Sequence, residues 1–471
     1  MNFISPKIRV RFAPSPTGIM HLGNVRAALL NFLFAKQKGG TFVLRIEDTD
    51  EQRNLKSAVK QILDDLVWLK LDYQEGPYFQ SDNLSLYQEY LDKLIGTNLV
   101  YKCFCTPEVL AIKKERQMSL RQAPRYDKAC LKLSVEDVLN NINQNIPFVW
   151  RFKVPEGDLA FFDLAKGEMK FELNNFADFS LTRSDGSFTF IFANCIDDIN
   201  MQISHVFRGE DHLSNTVMQI LLYKSFNARL PIFWHLPIIC NLDGTKLSKR
   251  DFGFSLDDLR KAGFLHQAII NYLTLIGNSF AQEILDLDQL IKLYDFSNVH
   301  SAGTVKYDVK KLEWVNQQWI QKITTLELAE LLKPFIISDY PDAINFDLNW
   351  WQAVAELVKT DIVTLKDAAK LIEFIFKKPE LILTKNLDNI IIRSVKDCDD
   401  KINNLVIPES DFNTLRELII NKNLTELINK PLPTNINKKY FYQLLRIIIT
   451  GSTHGAQMHL LANIYQQDLI I

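Results

Sequence analysis

The first residues with chemistry to offer lie in Pro14-Ser15-Pro16-Thr17-Gly18-Ile19-Met20-His21-Leu22-Gly23-Asn24. This segment joins a strand-like run to a helical pattern, which sets backbone amides and the positive end of a helix where a phosphate can sit. His21 can donate to phosphate oxygens, and Gly23 lets a nucleotide lie close to the backbone. Taken alone, a His-x-Gly pair recurs by chance, and a capping loop accounts for it as well. A second element is Lys246-Leu247-Ser248-Lys249-Arg250, which follows a strand and a turn over 242–245. Three cations in five residues are ordinarily a solvated loop. Over a nucleotide site, however, such a loop would neutralise the charge that builds as pyrophosphate leaves an attacked α-phosphate, with Lys249 the best-placed point charge.

Three of the six cysteines, Cys103, Cys105 and Cys130, fall close together. Six in 471 residues are too sparse for a disulfide framework. The spacing suits part of a tetrahedral zinc site, which needs a fourth ligand, and equally allows three ordinary thiols.

The elements that must position these groups read as an interrupted α/β domain followed by a helical half. A strand over Ile8 to Phe12, the breaker-rich loop and a helix from about Asn24 to Lys38 open an α/β unit. Gly39-Gly40 ends that helix, Thr41 to Ile46 is apolar enough for a buried parallel strand, and a helix covers about Leu55 to Leu69. Residues 101–187 change character and read as an insertion, with strands at Val149 to Val154 and Glu168 to Leu173. Strand-like runs at Ser187 to Asp198 and Ile203 to Arg208, a helix over Ser214 to Phe226 and a strand at His235 to Cys240 complete the α/β fold. Beyond Asp251 the spacing is helical, including Ser255 to Ala262 and Leu265 to Gly277. The expected divisions are 1–100 and 188–250 for the two halves of the α/β domain, 101–187 for the insertion, and 251–323 and 324–471 for two C-terminal parts.

Composition bounds the rest. Hydrophobic residues make up 47% and charged residues 23%, which excludes bulk disorder. Apolar runs such as Ile390 to Ile392 and Ile447 to Ile449 fall far short of the ~20 residues that cross a bilayer. No signal-peptide pattern opens the chain, so a cytoplasmic location is expected. The net charge of −2 means that any footprint for a polyanion must come from local patches.

Both basic and His-x-Gly elements, in this order on opposite halves of an interrupted α/β domain, resemble the ATP-binding motifs of class I aminoacyl-tRNA synthetases. More specifically, Arg9-Val10-Arg11-Phe12-Ala13-Pro14-Ser15-Pro16-Thr17-Gly18, Leu44-Arg45-Ile46-Glu47-Asp48-Thr49-Asp50, Phe207-Arg208-Gly209-Glu210-Asp211-His212 and Lys246 to Arg250 resemble the glutamyl-tRNA synthetase family. The likeness continues through Tyr272-Leu273 to Gly277, Tyr307-Asp308 to Trp314-Val315-Asn316 and, weakly, Leu445-Arg446 to Thr450-Gly451, and so covers nearly the whole chain. It implies a Rossmann-type catalytic domain with an inserted α+β acceptor-binding domain, then a stem-contact domain and an all-α anticodon-binding region.

The same resemblance implies roles for particular residues. Pro14, Thr17, His21, Gly23, Asn24, Lys246, Lys249 and Arg250 would bind ATP with its magnesium, and His21, Gly23, Lys246, Ser248 and Lys249 would serve catalysis. Arg11 and Arg208 would hold the two carboxylates of glutamate and Glu47 its ammonium, with Ala13, Ser15, Phe190 and Asn194 lining the pocket. Phe190 stands where the family usually has tyrosine. A pair of arginines rejects glutamine because a neutral amide leaves a buried guanidinium uncompensated. Cys103, Cys105 and Cys130 resemble the zinc element of some members, where Lys132 replaces a usual ligand and Tyr126 is the candidate fourth. The expected reaction is ATP-dependent activation of glutamate and transfer to tRNA by a monomer. From residue 324 onward there are 16 Lys+Arg and 19 Asp+Glu, a net of −3, so tRNA contacts would depend on local pairs such as Lys377-Lys378 and Lys438-Lys439. Competing readings are misacylation of tRNA for glutamine, a glutaminyl enzyme, a shorter glutamyl-queuosine paralogue, which the length disfavours, and a non-catalytic RNA-binding paralogue, which intact His21, Glu47, Arg208 and Lys249 disfavour.

Overall fold

The computed structural model describes residues 7–50, 54–297, 305–377, 379–395, 402–419, 427–428, 437–452, 455 and 457–464. Lys378 lies outside the described residues. The chain forms two compact units, Met1–Asp258 with Ile270–Val309, and Leu259–Ile269 with Lys310–Ile471.

In the first unit, strand β1 (Arg9–Phe12) leads into helix α1 (Leu22–Lys38) and strand β2 (Thr41–Ile46). Helix α1 buries Val25, Leu29, Phe32 and Leu33 among others, and it ends at Gly39, whose φ of 62° suits glycine. All six residues of β2 are buried, as befits a parallel strand covered on both faces. Helix α2 (Lys56–Trp68) and strand β3 (Glu75–Phe79) follow, and β1, β2 and β3 pair in parallel. Helix α3 (Leu84–Gly96) leads to the interruption.

The interrupting segment contains β4 (Val100–Cys103), α4 (Pro107–Ser119), α5 (Val135–Asn143), β5 (Val149–Phe152), β6 (Asp158–Asp163), β7 (Gly167–Glu172) and β8 (Phe179–Ser180). Strands β4, β5 and β8 form an antiparallel sheet of their own, whereas the β6–β7 hairpin joins the sheet of the α/β domain through β6. The α/β fold resumes with α6 (Phe190–Asn200), β9 (His205–Gly209), α7 (Leu213–Ser225) and β10 (Ile232–Leu236), and β9 and β10 pair in parallel. The two halves meet where Ser204 N donates to Arg9 O at 2.9 Å and Arg9 N donates to Ser204 Oγ at 2.8 Å. That seam sets β9 beside β1, so that the sheet β3-β2-β1 abuts the sheet β9-β10-β6-β7. The order reverses between β1 and β9, and in such sheets the ligand crevice opens at the carboxyl ends of the strands flanking the reversal.

The run over 187–198 was expected to be strand, but α6 is a helix. Phe192 to Asp198 are all buried, so the apolar pattern is nearly continuous and loses its helical period. Short elements then close the unit and lead onward: β11 (Ile239–Cys240), α8 (Leu256–Lys261), α9 (His266–Leu275), α10 (Leu287–Leu293) and β12 (Val305–Lys306), with β11 and β12 paired in parallel.

Mostly helical, the C-terminal part includes α11 (Val309–Lys322), α12 (Thr325–Asp339) and α13 (Leu348–Val358). It is not wholly α as expected. Strands β13 (Glu380–Asn386), β14 (Asn389–Val395) and β15 (Ile402–Pro408) form an antiparallel meander. The β-branched run Ile390 to Ile392 favours extended backbone, and the turn between β13 and β14 places Leu387 at φ 53°. None of the described helices is long and apolar enough to cross a membrane.

Candidate active site

The loop after β1 is pinned by backbone bonds. Glu47 N donates to Pro14 O at 3.0 Å and Leu55 N to Pro16 O at 2.9 Å, which holds Ala13 and Ser15 beside the end of β2. His21 caps α1, its Nδ1 accepting from Gly23 N at 3.1 Å and from Asn24 N at 3.3 Å, while Asn24 Oδ1 accepts from His21 N. An accepting Nδ1 leaves the proton of the neutral ring on Nε2. Burial lowers the His21 pKa first, and Lys246 and Lys249 lower it further against the opposing pull of Asp211, which keeps the ring neutral. Gly23 has a structural reason besides ligand access: a Cβ there would lie 2.9 Å from His21 Cε1.

The second basic element is tied to the first by chain pairing. Leu22 N donates to Phe254 O and Leu256 N to Met20 O, both at 3.0 Å, and the His21 ring lies 5.2 Å from that of Phe254. Lys246 sits 3.9 Å from Asp211, and Asp251 accepts from both Ser248 N (2.7 Å) and Ser248 Oγ (2.8 Å), folding the loop back. Lys246, Lys249 and Arg250 are exposed. Pro14, Thr17, His21, Gly23, Asn24 and the Lys246 to Arg250 loop are therefore gathered in one region.

At the β1–β9 seam the side chains form a buried polar network. Arg11 Nε donates to Asp198 Oδ1 at 3.1 Å, and Arg45 donates to the same oxygen at 2.7 Å and to Glu47 Oε1 at 3.2 Å. Asn194 donates to Glu47 Oε1 and accepts from Gln219 Nε2 at 2.9 Å. Arg208 Nη1 donates to Gln219 Oε1 at 2.8 Å, Nη2 to Thr216 Oγ1, and Nε toward His235 Nε2 at 3.3 Å.

The two predicted arginines thus differ. Arg11 is paired with an acid, whereas Arg208 hydrogen-bonds to the neutral groups Gln219, Thr216 and His235. Burial and then neighbouring Arg11 pull the Arg208 pKa down to about 10, so it remains a cation at neutral pH. Burial raises the pKa of Glu47 despite Arg45 and the Asn194 hydrogen bond. Burial would raise that of Asp198 too, but Arg11 and Arg45 outweigh it and hold it below the ordinary range. Phe190 is the first residue of α6, its half-buried ring 5.5 Å from that of His212.

Sequence reasoning passed over Arg45, Asp198, Thr216, Gln219, His235 and Asp163. One signal was available: Asn194, Asp197 and Asp198 stand at i, i+3 and i+4, the spacing that puts polar groups on one helical face.

The thiols of Cys103, Cys105 and Cys130 lie within 4.8 Å of one another, with Cys105 Sγ 3.6 Å from Cys130 Sγ. Two thiolates on a tetrahedral zinc at ~2.3 Å would be about 3.8 Å apart, so the donor set fits. The Tyr126 hydroxyl is 3.3 Å from Cys103 Sγ and accepts from Cys130 N at 3.0 Å, which puts the candidate fourth donor at the cluster. Lys132 is exposed.

Comparison with known proteins assigns residues 7–314 to the catalytic domain of class I tRNA synthetases (E and Q) and 327–470 to an anticodon binding domain. A glutamate–tRNA ligase of Finegoldia magna is 35% identical, with 96% of this chain and 95% of that protein covered. Another from Hydrogenobaculum sp. is 35% identical with 98% of each covered. The crystal structure of a glutamate-tRNA synthetase from Elizabethkingia anophelis superposes with a TM-score of 0.80 at 28% identity, covering 97% of each chain. A glutamate tRNA ligase from Elizabethkingia meningosepticum, solved in complex with its amino acid, gives 0.81 at 29% identity, covering 97% of this chain and 96% of that one. With two class I synthetase motifs drawn together across a doubly wound sheet and relatives matching along nearly its full length, the chain belongs to the glutamate–tRNA ligase family.

Proposed function

We propose that the β1–β9 crevice activates L-glutamate with ATP and that the enzyme, acting as a monomer, transfers the glutamyl group to the 3′ end of tRNA. The observation that carries the reading is Arg208, a buried guanidinium held by Gln219, Thr216 and His235, none of which carries negative charge. Asp198 and Glu47 act on it only through space; a buried cation with no directly bonded anion is costly, and a ligand carboxylate relieves that cost. Arg11 next to it serves the second carboxylate while still tied to Asp198, and Glu47 faces the ammonium. Ala13 and Ser15 line the entrance, Asn194 orients Glu47, and Phe190 closes one side.

ATP occupies the neighbouring region formed by Pro14, Thr17, His21, Gly23, Asn24, Lys246, Lys249 and Arg250, with magnesium entering as part of the nucleotide substrate to offset phosphate charge. The glutamate α-carboxylate attacks the α-phosphorus, the bond to the bridging oxygen breaks, and pyrophosphate departs with that electron pair. The Nε2–H of neutral His21 donates to a phosphate oxygen, and Lys249 meets charge on the leaving group. The adenosine hydroxyl at the tRNA end then attacks the glutamyl carbonyl and AMP leaves. No covalent intermediate on the enzyme is needed. Catalysis rests on alignment and charge stabilisation.

In the inserted segment, Cys103, Cys105, Cys130 and Tyr126 would hold a structural zinc. Its chemistry is to cross-link β4 to the loop carrying Cys130, and no reaction step passes through it. The C-terminal part is assigned to the anticodon and the segment over 251–323 to the stem of the tRNA.

The test is aminoacylation with purified protein, ATP, magnesium, labelled glutamate or glutamine, and transcripts of the tRNAs for glutamate and for glutamine. Glutamate charged in strong preference to glutamine is the expected result, and the transcript that accepts it identifies the tRNA partner. Failure to charge either transcript, or equal use of the two amino acids, overturns the proposal.

A further inference from the structure

Behind Arg208 a hydrogen-bond chain runs into the core and ends on a carboxylate that the proposed reaction does not use. Arg208 Nη2 donates to Thr216 Oγ1, which lies 2.7 Å from His235 Nε2, and His235 Nδ1 lies 2.6 Å from Asp163 Oδ2. Thr216, His235 and Asp163 are all fully buried. Asp163 and His235 stand 72 positions apart in sequence, Asp163 ending β6 and His235 on the adjacent β10.

The direction of every bond in the chain follows from Asp163. Its Oδ1 accepts from Ala165 N at 2.9 Å and Lys166 N at 3.0 Å, and Oδ2 accepts from His235 N at 3.1 Å. So many donors favour the ionised form. Burial would raise the pKa, but the His235 hydrogen bond and these amides oppose it, and the net shift is downward. An ionised carboxylate can only accept, so His235 carries its proton on Nδ1. Nε2 is then bare and accepts from the Thr216 hydroxyl and from Arg208 Nε. Burial, with the Arg208 and Lys166 charges, lowers the His235 pKa against the opposing pull of Asp163, in keeping with a neutral ring. A ring protonated on Nε2 would instead point its N–H at the donor Arg208 Nε and leave the Thr216 hydroxyl to donate to His212 O at 3.2 Å.

We propose that Asp163 and His235 are positioning residues for the amino-acid pocket: by fixing the Nδ1–H tautomer they present a hydrogen-bond acceptor that locks the Arg208 guanidinium in the plane where it meets the substrate carboxylate. The inference rests on the assignment of Arg208 to a carboxylate of glutamate. It adds that the hold of Arg208 depends on a residue pair that never touches the substrate, in the way that outer partners orient metal-ligating histidines. Leucine at 235 would fill the space without an acceptor. Glutamine would place its carbonyl oxygen near the position of Nε2. Asparagine at 163 would offer an N–H to Nδ1, drive the proton to Nε2 and turn the acceptor into a donor.

The experiment measures ATP–pyrophosphate exchange in full-length protein with saturating tRNA, varying glutamate and ATP separately, for the parent and for R208M, H235L, H235Q and D163N. Histidine 15N spectra of the parent and D163N, assigned with H235Q, read the tautomer directly. The expected pattern is a rise of about tenfold or more in glutamate KM for H235L and D163N, with kcat and ATP KM within about threefold of the parent and recovery in H235Q. The spectra should show a neutral His235 protonated on Nδ1 in the parent and on Nε2 in D163N. An unchanged glutamate KM in R208M would remove the underlying assignment. A raised KM in R208M with unchanged KM in H235L and D163N overturns the positioning inference alone, as does an Nε2-protonated ring in the parent. Should H235L or D163N fail to fold, the parent tautomer and the comparison of H235Q with R208M still decide.

Discussion

Replacing Asp198 by asparagine should destabilise the catalytic unit by about 3–5 kcal/mol, the usual cost of removing one partner from a buried ion pair. Asp198 Oδ1 lies 3.1 Å from Arg11 Nε and 2.7 Å from Arg45 Nη1, and Oδ2 lies 3.3 Å from Arg11 Nε. The ionising side chains are at most 4% exposed, so solvent screening gives little discount. Asparagine keeps the shape, removes the shared negative charge and turns an N–H toward one of two guanidiniums. At roughly 2–4 °C per kcal/mol for a large domain, the melting transition of this unit should fall by about 6–20 °C.

The pH dependence carries a sign that separates electrostatics from mere misfit. Arg11 and Arg45 hold the folded-state pKa of Asp198 below its ordinary value. Its stabilisation is therefore fully present above the unfolded pKa of about 3.9 and is lost as pH falls through the depressed folded value. The deficit of D198N relative to the parent should stay level between about pH 6 and 8 and shrink once pH drops below about 4.5. Differential scanning calorimetry in a pH series, following the transition that shifts with added ATP and glutamate, supplies the measurement. A variant melting within about 2 °C of the parent, or a deficit that does not change with pH, would refute the shared ion-pair account.

Lys249→Ala should slow the chemical step by about 10²-fold with little change in glutamate affinity, because the cation is assigned to charge that develops on pyrophosphate; single-turnover activation at an unchanged rate would count against it. Phe190→Tyr should lower glutamate KM by up to about tenfold, roughly 1.5 kcal/mol for a new hydrogen bond to a charged group, and a folded variant with the parent KM would show that the ring does not face the substrate. Protein purified without chelator should contain about one equivalent of zinc, falling sharply in Cys105→Ser; less than a tenth of an equivalent in a stable parent protein leaves the three thiols as ordinary cysteines.

What the sequence made legible was local. The β1–loop–α1–β2 opening was readable because Val25, Leu29 and Phe32 recur at helical spacing and Gly39 terminates them, while 41–46 is mostly apolar and follows the Gly39-Gly40 break. Helix α6 was misread since burial on almost every side erased its period, and the β13–β15 meander was missed within a stretch otherwise rich in helices. Arg11, Glu47, Asn194 and Arg208 were reached through motif resemblance. Their partners could not be found in that way: Arg45 meets Asp198 across 153 positions and Asp163 meets His235 across 72. Nothing in local spacing marks such pairs.

The different surroundings of the two arginines bear on how glutamate is told from glutamine. Arg11 already shares Asp198, so a neutral ligand beside it leaves a compensated cation. Arg208 hydrogen-bonds only to neutral acceptors, Asp198 and Glu47 acting on it through space, so a ligand anion would be its directly bonded counter-charge. An amide in place of that carboxylate would leave the buried guanidinium without a bonded counter-charge and would set its own N–H groups against donors, a loss on the order of a few kcal/mol. On the proposed assignment of Arg208, discrimination would fall mainly on that residue and would depend on the acceptors behind it remaining neutral. A carboxylate at Gln219 or Thr216 would satisfy Arg208 within the protein and weaken the demand for a charged substrate. Gln219→Glu tests this: the preference for glutamate over glutamine in adenylate formation should narrow by about tenfold or more, through a larger loss for glutamate than for glutamine. A folded variant with the parent preference would place discrimination at Arg11 instead.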